Sequence, residues 1–298
     1  MKKNSSSKSN TATSIIGIIL MFLGIGIFLY PSISNYFAEK NQSRVIDKYE
    51  EAMSSQYSKI NIEEELKKAD LYNESLTGNP LHDPFATGSG YTLSENYFGI
   101  LNIDGVIGYI EIPKISIKIP IYHGTSDEVL QKGVGHVEST SFPIGGLARH
   151  SILVGHRGLP SAKLFTDLNK LVEGDYFYIH VLDRTLAYKV YDIETIEPEK
   201  IGELNLVNDK DLVTLITCTP YGINTHRLLV HAERTEYIAE TDESNSINDF
   251  RPFENRYIVI GIIIGVTNLI IIIVFVFLKS RTKGKRRKKR GKEERRKN

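Results

Sequence analysis

LVTLITCTPYGINTHRLLVHAE, residues 212–233, is the stretch that decides the fold of this chain. Its first half is a run of β-branched and aliphatic residues that ends at Cys218, and the Pro-Tyr-Gly sequence just after it is a strong turn signal. We predict a buried strand, a loop and a second strand entered near His226. Pairing of the two strands would place the only cysteine of the chain close to Arg227 at one end of a sheet.

A histidine stands at the end of another predicted strand. Residues 151–154 are mostly apolar, and His156 comes soon after them, followed by a glycine turn. A thiol is nucleophilic only as the thiolate, which a nearby arginine or imidazolium favours. The residues alone leave two interpretations open. Cys218, His156 and Arg227 form a catalytic set at a sheet end, or they are a buried cysteine, a solvated histidine and a surface arginine.

The order and spacing of these residues resemble those of the sortases, the membrane-bound cysteine transpeptidases of Gram-positive bacteria. TLITC at residues 214–218 matches the TLxTC signature, Arg227 follows the cysteine by nine residues, and His156 precedes it by 62. The resemblance covers roughly Gly105 to Arg234. It implies that Cys218 is the nucleophile and His156 the general acid or base. Arg227 would stabilise the oxyanion or position the substrate.

A shorter motif resembles the lid of the pilin-polymerising branch of that family, class C. It is LHDPF at residues 81–85, within a segment rich in glycine and proline that we assign to a lid loop, residues 76–96. The predicted lid residues are Asp83, Pro84 and Phe85, with phenylalanine standing where some lids carry Trp or Tyr. The resemblance implies that the aspartate pairs with Arg227 and that the ring lies over Cys218, which blocks the site until the loop is displaced. Without the resemblance, the segment reads as an ordinary linker.

The reaction also follows from the resemblance. It implies cleavage between Thr and Gly of an LPXTG-like sorting signal, a thioacyl link to Cys218, and transfer to a lysine of the next pilin subunit. Residue chemistry by itself does not choose between water and an amine as the acceptor, so a peptidase stays open. The alternatives are a sortase that anchors surface proteins to cell-wall peptidoglycan and a non-enzymatic surface β-domain.

The fold class that we predict is mainly β. From Gly108 onward, short segments alternate apolar and polar residues, including a predicted hairpin of residues 176–181 and 186–196. A short helix is predicted over residues 127–132. About eight strands with short turns indicate a closed β-barrel, which the sortase resemblance also implies, and we assign the catalytic domain to residues 97–238.

Two apolar runs flank this domain. Residues 15–34 and 257–278 each approach or reach the ~20 residues that a spanning helix needs. Lysines and arginines flank both runs on their outer sides, in residues 1–14 and 279–298, which predicts two transmembrane helices with both termini in the cytoplasm and the domain outside. A cleaved signal peptide is the alternative for the first run. We interpret residues 35–75 as an N-terminal helical segment, a stalk of two helices between the membrane and the catalytic domain.

Charge and cysteine usage exclude several kinds of site. Residues 279–298 hold 13 Lys or Arg against two Glu, although the whole chain has a net charge of only +1, so the middle of the chain is acidic. An acidic domain argues against nucleic acid as a partner, and the basic tail behind a span is suited to anionic lipid.

Residues 239–256 are interpreted as a linker. We predict no metal and no cofactor, because no Cys or His cluster has ligand spacing and no glycine-rich phosphate loop occurs. The histidines that compete with His156 as the catalytic imidazole are His123, His136 and His226.

Overall fold

The computed structural model describes residues 6–55, 59–76, 81–86, 95–203 and 209–237, together with residues 265 and 270. Its helices are α1 (Ser6–Ser55), α2 (Lys59–Ser75), α3 (Glu95–Phe98) and α4 (Asp127–Lys132). Short 3-10 turns cover Pro113–Ile115, Leu168–Lys170 and Pro198–Glu203. The predicted helix over residues 127–132 is present, and Ser126 caps it by accepting a hydrogen bond from the backbone N–H of Val129.

Eight strands close into one barrel. They are β1 (Gly108–Ile112), β2 (Ile117–His123), β3 (Val134–His136), β4 (Arg149–Val154), β5 (Tyr176–Val181), β6 (Arg184–Ile196), β7 (Asp211–Thr219) and β8 (His226–Thr235). Their order around the barrel is β1-β2-β3-β4-β7-β8-β6-β5. The predicted closed eight-stranded barrel is confirmed, and so is the hairpin of β5 and β6.

Strand β7 is buried on both faces, which explains why its aliphatic residues occur at both odd and even positions. Val213 and Leu215 point into the barrel core. Ile216 belongs instead to a second apolar cluster, which we call the outer cluster, where it packs with Leu81 of the predicted lid and Ile201 of the β6–β7 connection. The outer cluster therefore fastens the lid segment and the β6–β7 connection to the sheet that carries the cysteine.

The N-terminal apolar run and the first part of the predicted stalk form a single helix, α1, 50 residues long. Within the part of the chain that the structure describes, α1 is the helix that is long and apolar enough to cross a membrane, over residues 19–55. The second predicted span, residues 257–278, lies outside the described residues except for positions 265 and 270. The linker of residues 239–256 and the basic tail of residues 279–298 lie outside them as well.

The second half of α1 packs along the side of the barrel. Tyr49 is fully buried; its hydroxyl donates to the carbonyl of Ile107 at 3.3 Å and accepts from the backbone N–H of Leu182 at 2.7 Å. On α2, the Asn73 side chain exchanges two hydrogen bonds with the backbone of Phe142. The segment that we interpreted as a stalk thus lies against the barrel and shares its core.

We expect acid to destabilise this fold through its buried histidines. Burial lowers the pKa of His136 to about 3 and that of His150 to about 4, and it also lowers the pKa of His123. Below about pH 6.5 the three imidazoles bind protons in the unfolded chain but not in the folded chain. The free energy of unfolding therefore keeps its full value above that pH and falls as the pH drops below it. Each group contributes a slope of up to about 1.4 kcal/mol per pH unit.

Denaturant unfolding of the full chain in detergent, from about pH 7 to about pH 4.5, measures this slope. His136→Gln lowers stability at every pH but flattens the slope, because one of the three protons is no longer involved. An unchanged slope in this variant would contradict the assignment.

Candidate active site

Strand register brings the three predicted catalytic residues to one end of the barrel. Cys218 lies directly opposite Arg227 in the antiparallel pair of β7 and β8. Strand β4 runs parallel to β7, with Val154 beside Ile216, so His156, two residues further on, reaches the same end.

Two hydrogen bonds hold the histidine-bearing segment against β7. The backbone N–H of Gly155 donates to the carbonyl of Ile216 at 3.1 Å, and the hydroxyl of Thr217 donates to the carbonyl of Gly155 at 2.7 Å. A Cβ atom at position 155 would lie 2.7 Å from the ring of Phe165, so only glycine fits this approach. The backbone on either side of Thr217 therefore fixes the start of the His156 loop relative to Cys218.

The thiol of Cys218 is buried, with 6% of the residue exposed. Burial raises its pKa, the charge of Arg227 lowers it, and the charge of Asp83 raises it again. Raising the pKa of a thiol favours the protonated form at neutral pH. In this state the cysteine is therefore a neutral thiol, and the carboxylate beside the arginine helps to keep it neutral.

Arg227 is fully engaged by the lid and by its own loop. Its Nε and Nη2 groups donate to the two carboxylate oxygens of Asp83 at 2.9 and 2.7 Å, in the bidentate geometry that matches the guanidinium fork. Its Nη1 group donates to the carbonyls of Asn224 and His226, both at 3.0 Å. The side chains of Asp83 and Arg227 are only 11% and 8% exposed, so water screens this ion pair little.

The lid residues form a tight turn over the site. The N–H of Ala86 donates to the Asp83 carbonyl, and the N–H of Phe85 donates to the Asp83 carboxylate at 3.3 Å. The expected pairing of Asp83 with Arg227 is present, and Pro84 between the two lid side chains is buried. The Phe85 ring lies 5.2 Å from the arginine guanidinium and 5.5 Å from the imidazole ring of His156. The contacts of Phe85 are thus with the two groups expected to work with the cysteine.

His156 is half-buried, and its main chain accepts a hydrogen bond from the N–H of Phe165. Burial lowers the pKa of its imidazole, and the charge of Asp127 acts in the opposite direction. A lowered pKa keeps the ring neutral near pH 7, where it can accept a proton. With Cys218 protonated and His156 neutral, the lid-closed site holds an uncharged thiol and an uncharged imidazole.

The competing histidines lie in other surroundings. His136 is fully buried and bonded to the Tyr97 hydroxyl and the Ser141 carbonyl. His123 contacts the carbonyl of Ile100 within the same aromatic cluster. His226 is half-buried, beside the hydroxyl of Thr225. Only His156 of these four touches the lid phenylalanine among the described contacts.

Sequence reasoning missed a second arginine. Arg157 donates from Nη1 to the hydroxyl of Thr219 at 3.0 Å and from Nε to the carbonyl of Thr166 at 3.2 Å. It therefore ties the residue after His156 to the residue after Cys218. The position of Arg157 next to His156 was the one sequence feature that could have suggested a role in the site. No periodicity or motif distinguishes it from an ordinary surface arginine. In the part of the chain that the structure describes, no group of three or more His, Cys, Asp or Glu could hold a metal.

The part of the chain that contains the barrel and the site is similar to known proteins. A family model described as a sortase domain matches residues 110–235. The crystal structure of sortase C-1 from Streptococcus pneumoniae is 41% identical, with a TM-score of 0.62, and the match covers 65% of this chain and all of that one (100%). The pilus island 1 sortase C2 of group B Streptococcus is 49% identical, with a TM-score of 0.57, and the match covers 60% of this chain and 100% of that one. Sortase A of Staphylococcus aureus is 27% identical over 221 residues, which are 73% of this chain and 91% of that protein.

We expect Asp83→Asn to make Cys218 more reactive. The substitution removes a charge that raises the thiol pKa and releases the neighbouring guanidinium, which lowers it. The rate of alkylation of Cys218 by iodoacetamide, followed by mass spectrometry as a function of pH, should then have its midpoint at lower pH than in the unchanged chain. At neutral pH the alkylation rate should rise several-fold.

Asp183→Asn is the matched control, because Asp183 is exposed in the β5–β6 turn, at the other end of the barrel. It should leave the pH profile of alkylation unchanged. Identical profiles for the two variants would show that Asp83 does not control the thiol.

Proposed function

The chain belongs to the sortase family, within it to the class C sortases, and on that premise we propose a role for each residue of the site in joining pilin subunits. The protein is a cysteine transpeptidase. The observation that carries the assignment of roles is the buried bidentate pair of Asp83 and Arg227 beside Cys218. It combines a lid, a cation and the only thiol of the chain in one place.

The first half-reaction acylates Cys218. His156 takes the thiol proton, and the sulfur attacks the carbonyl carbon of the threonine in an LPXTG-like sorting signal. The tetrahedral oxyanion then collapses, the bond from threonine to the glycine nitrogen breaks, and His156 returns its proton to the leaving amine. The products are a thioester on Cys218 and a free C-terminal peptide that begins with glycine.

Arg227 supplies positive hydrogen-bond donors to the oxyanion or to the substrate backbone. The lid carboxylate occupies its Nε and Nη2 groups, so this role begins only when Asp83 withdraws. Withdrawal also removes a negative charge from the neighbourhood of Cys218, which favours the thiolate. Lid opening thus frees the donors and activates the nucleophile in one step.

The second half-reaction transfers the acyl group to a lysine of the next pilin subunit. The lysine nitrogen attacks the thioester carbon, His156 accepts a proton from the ammonium that forms, and the thiolate of Cys218 leaves. An isopeptide bond joins the two subunits. The acceptor must reach the thioester before water does, so a bound pilin subunit that excludes water from the open site favours transfer over hydrolysis.

We also propose that residues 15–34 and 257–278 both span the membrane, with the termini in the cytoplasm and the barrel outside. The apolar stretch of α1 supports the first span. The basic residues 279–298 would then lie against anionic lipid of the inner leaflet. Pilin precursors that carry an LPXTG-like signal and an acceptor lysine are the proposed partners.

Mass spectrometry of the full chain in detergent, incubated with an LPXTG peptide and a pilin fragment that carries its acceptor lysine, tests the reaction. A thioacyl adduct on Cys218 followed by an isopeptide product is expected, and both should form faster with Asp83→Ala and Phe85→Ala together. Cys218→Ala should form neither. An adduct that passes only to a cell-wall-type amine would point to an anchoring sortase, and a folded chain without adduct in any variant would overturn the enzyme assignment.

We expect Arg157→Ala to slow acyl transfer without weakening substrate binding. The loop that carries His156 loses its tie to Thr219, and a displacement near 1 Å costs about 10- to 100-fold in rate. Steady-state kinetics should show a lower kcat with KM little changed. Arg157→Lys, which keeps a charge and one donor, should recover part of the rate. Equal losses in both variants, with raised KM, would instead indicate substrate binding by Arg157.

A further inference from the structure

The apolar surface of α1 ends at a definite level. Ile33, Tyr36 and Phe37 are 44%, 46% and 62% exposed, and large apolar residues earlier in α1 are exposed as well. From Ala38 onward, the helix packs against the barrel core. Tyrosine concentrates where a membrane helix leaves the hydrocarbon, so with the proposed anchor this level would correspond to the bilayer surface.

At that same level, α1 touches the loop that follows His156. Ser34 donates from its hydroxyl to the carbonyl of Ser161 at 3.2 Å, and the backbone N–H of Lys163 donates to the Asn35 side chain at 2.6 Å. At a rise of about 1.5 Å per residue, Asn35 lies only about 3 Å along the helix from Phe37. The loop of residues 157–163 therefore lies at the height of the last exposed aromatic residues.

The direction of α1 gives the same orientation for the whole barrel. Tyr49, further along the helix, contacts Leu182 in the β5–β6 turn. Strand β6 starts just after that turn, and its last residue, Ile196, pairs with Arg227 at the active-site end. The helix thus runs from the active-site end toward the opposite end, and its apolar half leaves the barrel on the side of Cys218.

A second apolar feature stands at this end. In the β7–β8 loop, Tyr221 is 60% and Ile223 is 67% exposed. The Tyr221 ring lies against Gly158, where a Cβ atom would be 3.1 Å from the ring. Gly158 is three residues before Ser161, which contacts α1. We call Tyr221 and Ile223 the loop tip; it is connected through residues 158–161 to the point where α1 leaves the barrel.

We propose that the loop tip docks on the lipid bilayer, in the interfacial zone, together with Tyr36 and Phe37 of α1. The tyrosines have the amphipathic character that this zone favours, and exposed Ile223 and Phe37 gain by leaving water. The continuity of the tip with the end of a membrane helix selects lipid as the occupant. This inference rests on the proposed membrane anchor, and not on the proposed chemistry.

Docking would hold the active site at the membrane surface. Tyr221 is three residues from Cys218 along the chain, so the thiol would lie within a short distance of the lipid headgroups. A sorting signal attached to a membrane-spanning tail would then meet the cysteine close to where it emerges from the bilayer. The lid residue Asp83 covers the site at this same end, since it pairs with Arg227.

The chain has no tryptophan, so a single introduced tryptophan reports its own surroundings. The full chain carrying Tyr221→Trp or Ile223→Trp is reconstituted into phosphatidylcholine vesicles with unbrominated or brominated acyl chains. Phe28→Trp, at a residue of α1 that is 79% exposed, is the control for insertion. Leu147→Trp is the matched negative control, because Leu147 is 77% exposed and lies just before β4, at the opposite end of the barrel.

Tryptophan at 221 or 223 should emit at shorter wavelength than at 147, and brominated lipid should quench it several-fold more strongly. Quenching no greater than at 147 overturns the docking, as does a tip that responds only when a pilin fragment is added, which would mark a protein-binding surface. An unquenched Phe28→Trp overturns the anchor and the docking together. Because the same spectra can be recorded with Cys218→Ala present, failure of the proposed chemistry would leave this result untouched.

Discussion

The register of β7 between its two neighbours is the constraint on which the site depends. One pairing puts Cys218 opposite Arg227, and the other aligns β4 so that His156 reaches the same end. A shift of one residue would turn the thiol to the other face of the sheet, because strand side chains alternate. Burial on both faces resists such a shift: Val213 fills the barrel, and Ile216 packs beneath the lid in the outer cluster. The core and the chemistry therefore use the same strand.

The ion pair of Asp83 and Arg227 has a different physical character from the core. Both charges are largely removed from water, so the pair is favourable only because each carboxylate oxygen meets a guanidinium donor. A contact of this kind discriminates sharply between a fully made and a broken state. The apolar contacts of Leu81 and Phe85 also stabilise the closed lid, but they are non-directional and weaken gradually as the lid moves. Such a combination suits a lid that is either seated or displaced.

Much of the barrel and of the candidate site could be predicted from the sequence, because short stretches of residues carry the strand, turn and motif signals. Strand alternation and the Pro-Tyr-Gly turn predicted β7 and β8. The TLITC motif with its spacing singled out Cys218, His156 and Arg227, which the strand register brings to one end of the barrel. Three features could not be predicted. The hydrogen bond from Arg157 to Thr219 joins residues 62 apart, and no motif marks it. The packing of residues 35–55 on the barrel depends on tertiary contacts, and the surroundings of Phe85 depend on the closed lid. Residues 257–278 lie mostly outside the described part of the chain, so the second span rests on composition alone.

The uninterrupted passage of α1 from its apolar half onto the barrel limits how the molecule can move. Contacts at Ser34, Gln42 and Tyr49 fasten the helix along the barrel, and any bend at Pro31 lies on the far side of them. If the apolar half is embedded in lipid, the barrel cannot tumble freely, and rotation about the membrane normal with diffusion in the plane is what remains. Encounter with a membrane-anchored substrate would then be a search in two dimensions, and surface density would replace bulk concentration as the quantity that governs the rate.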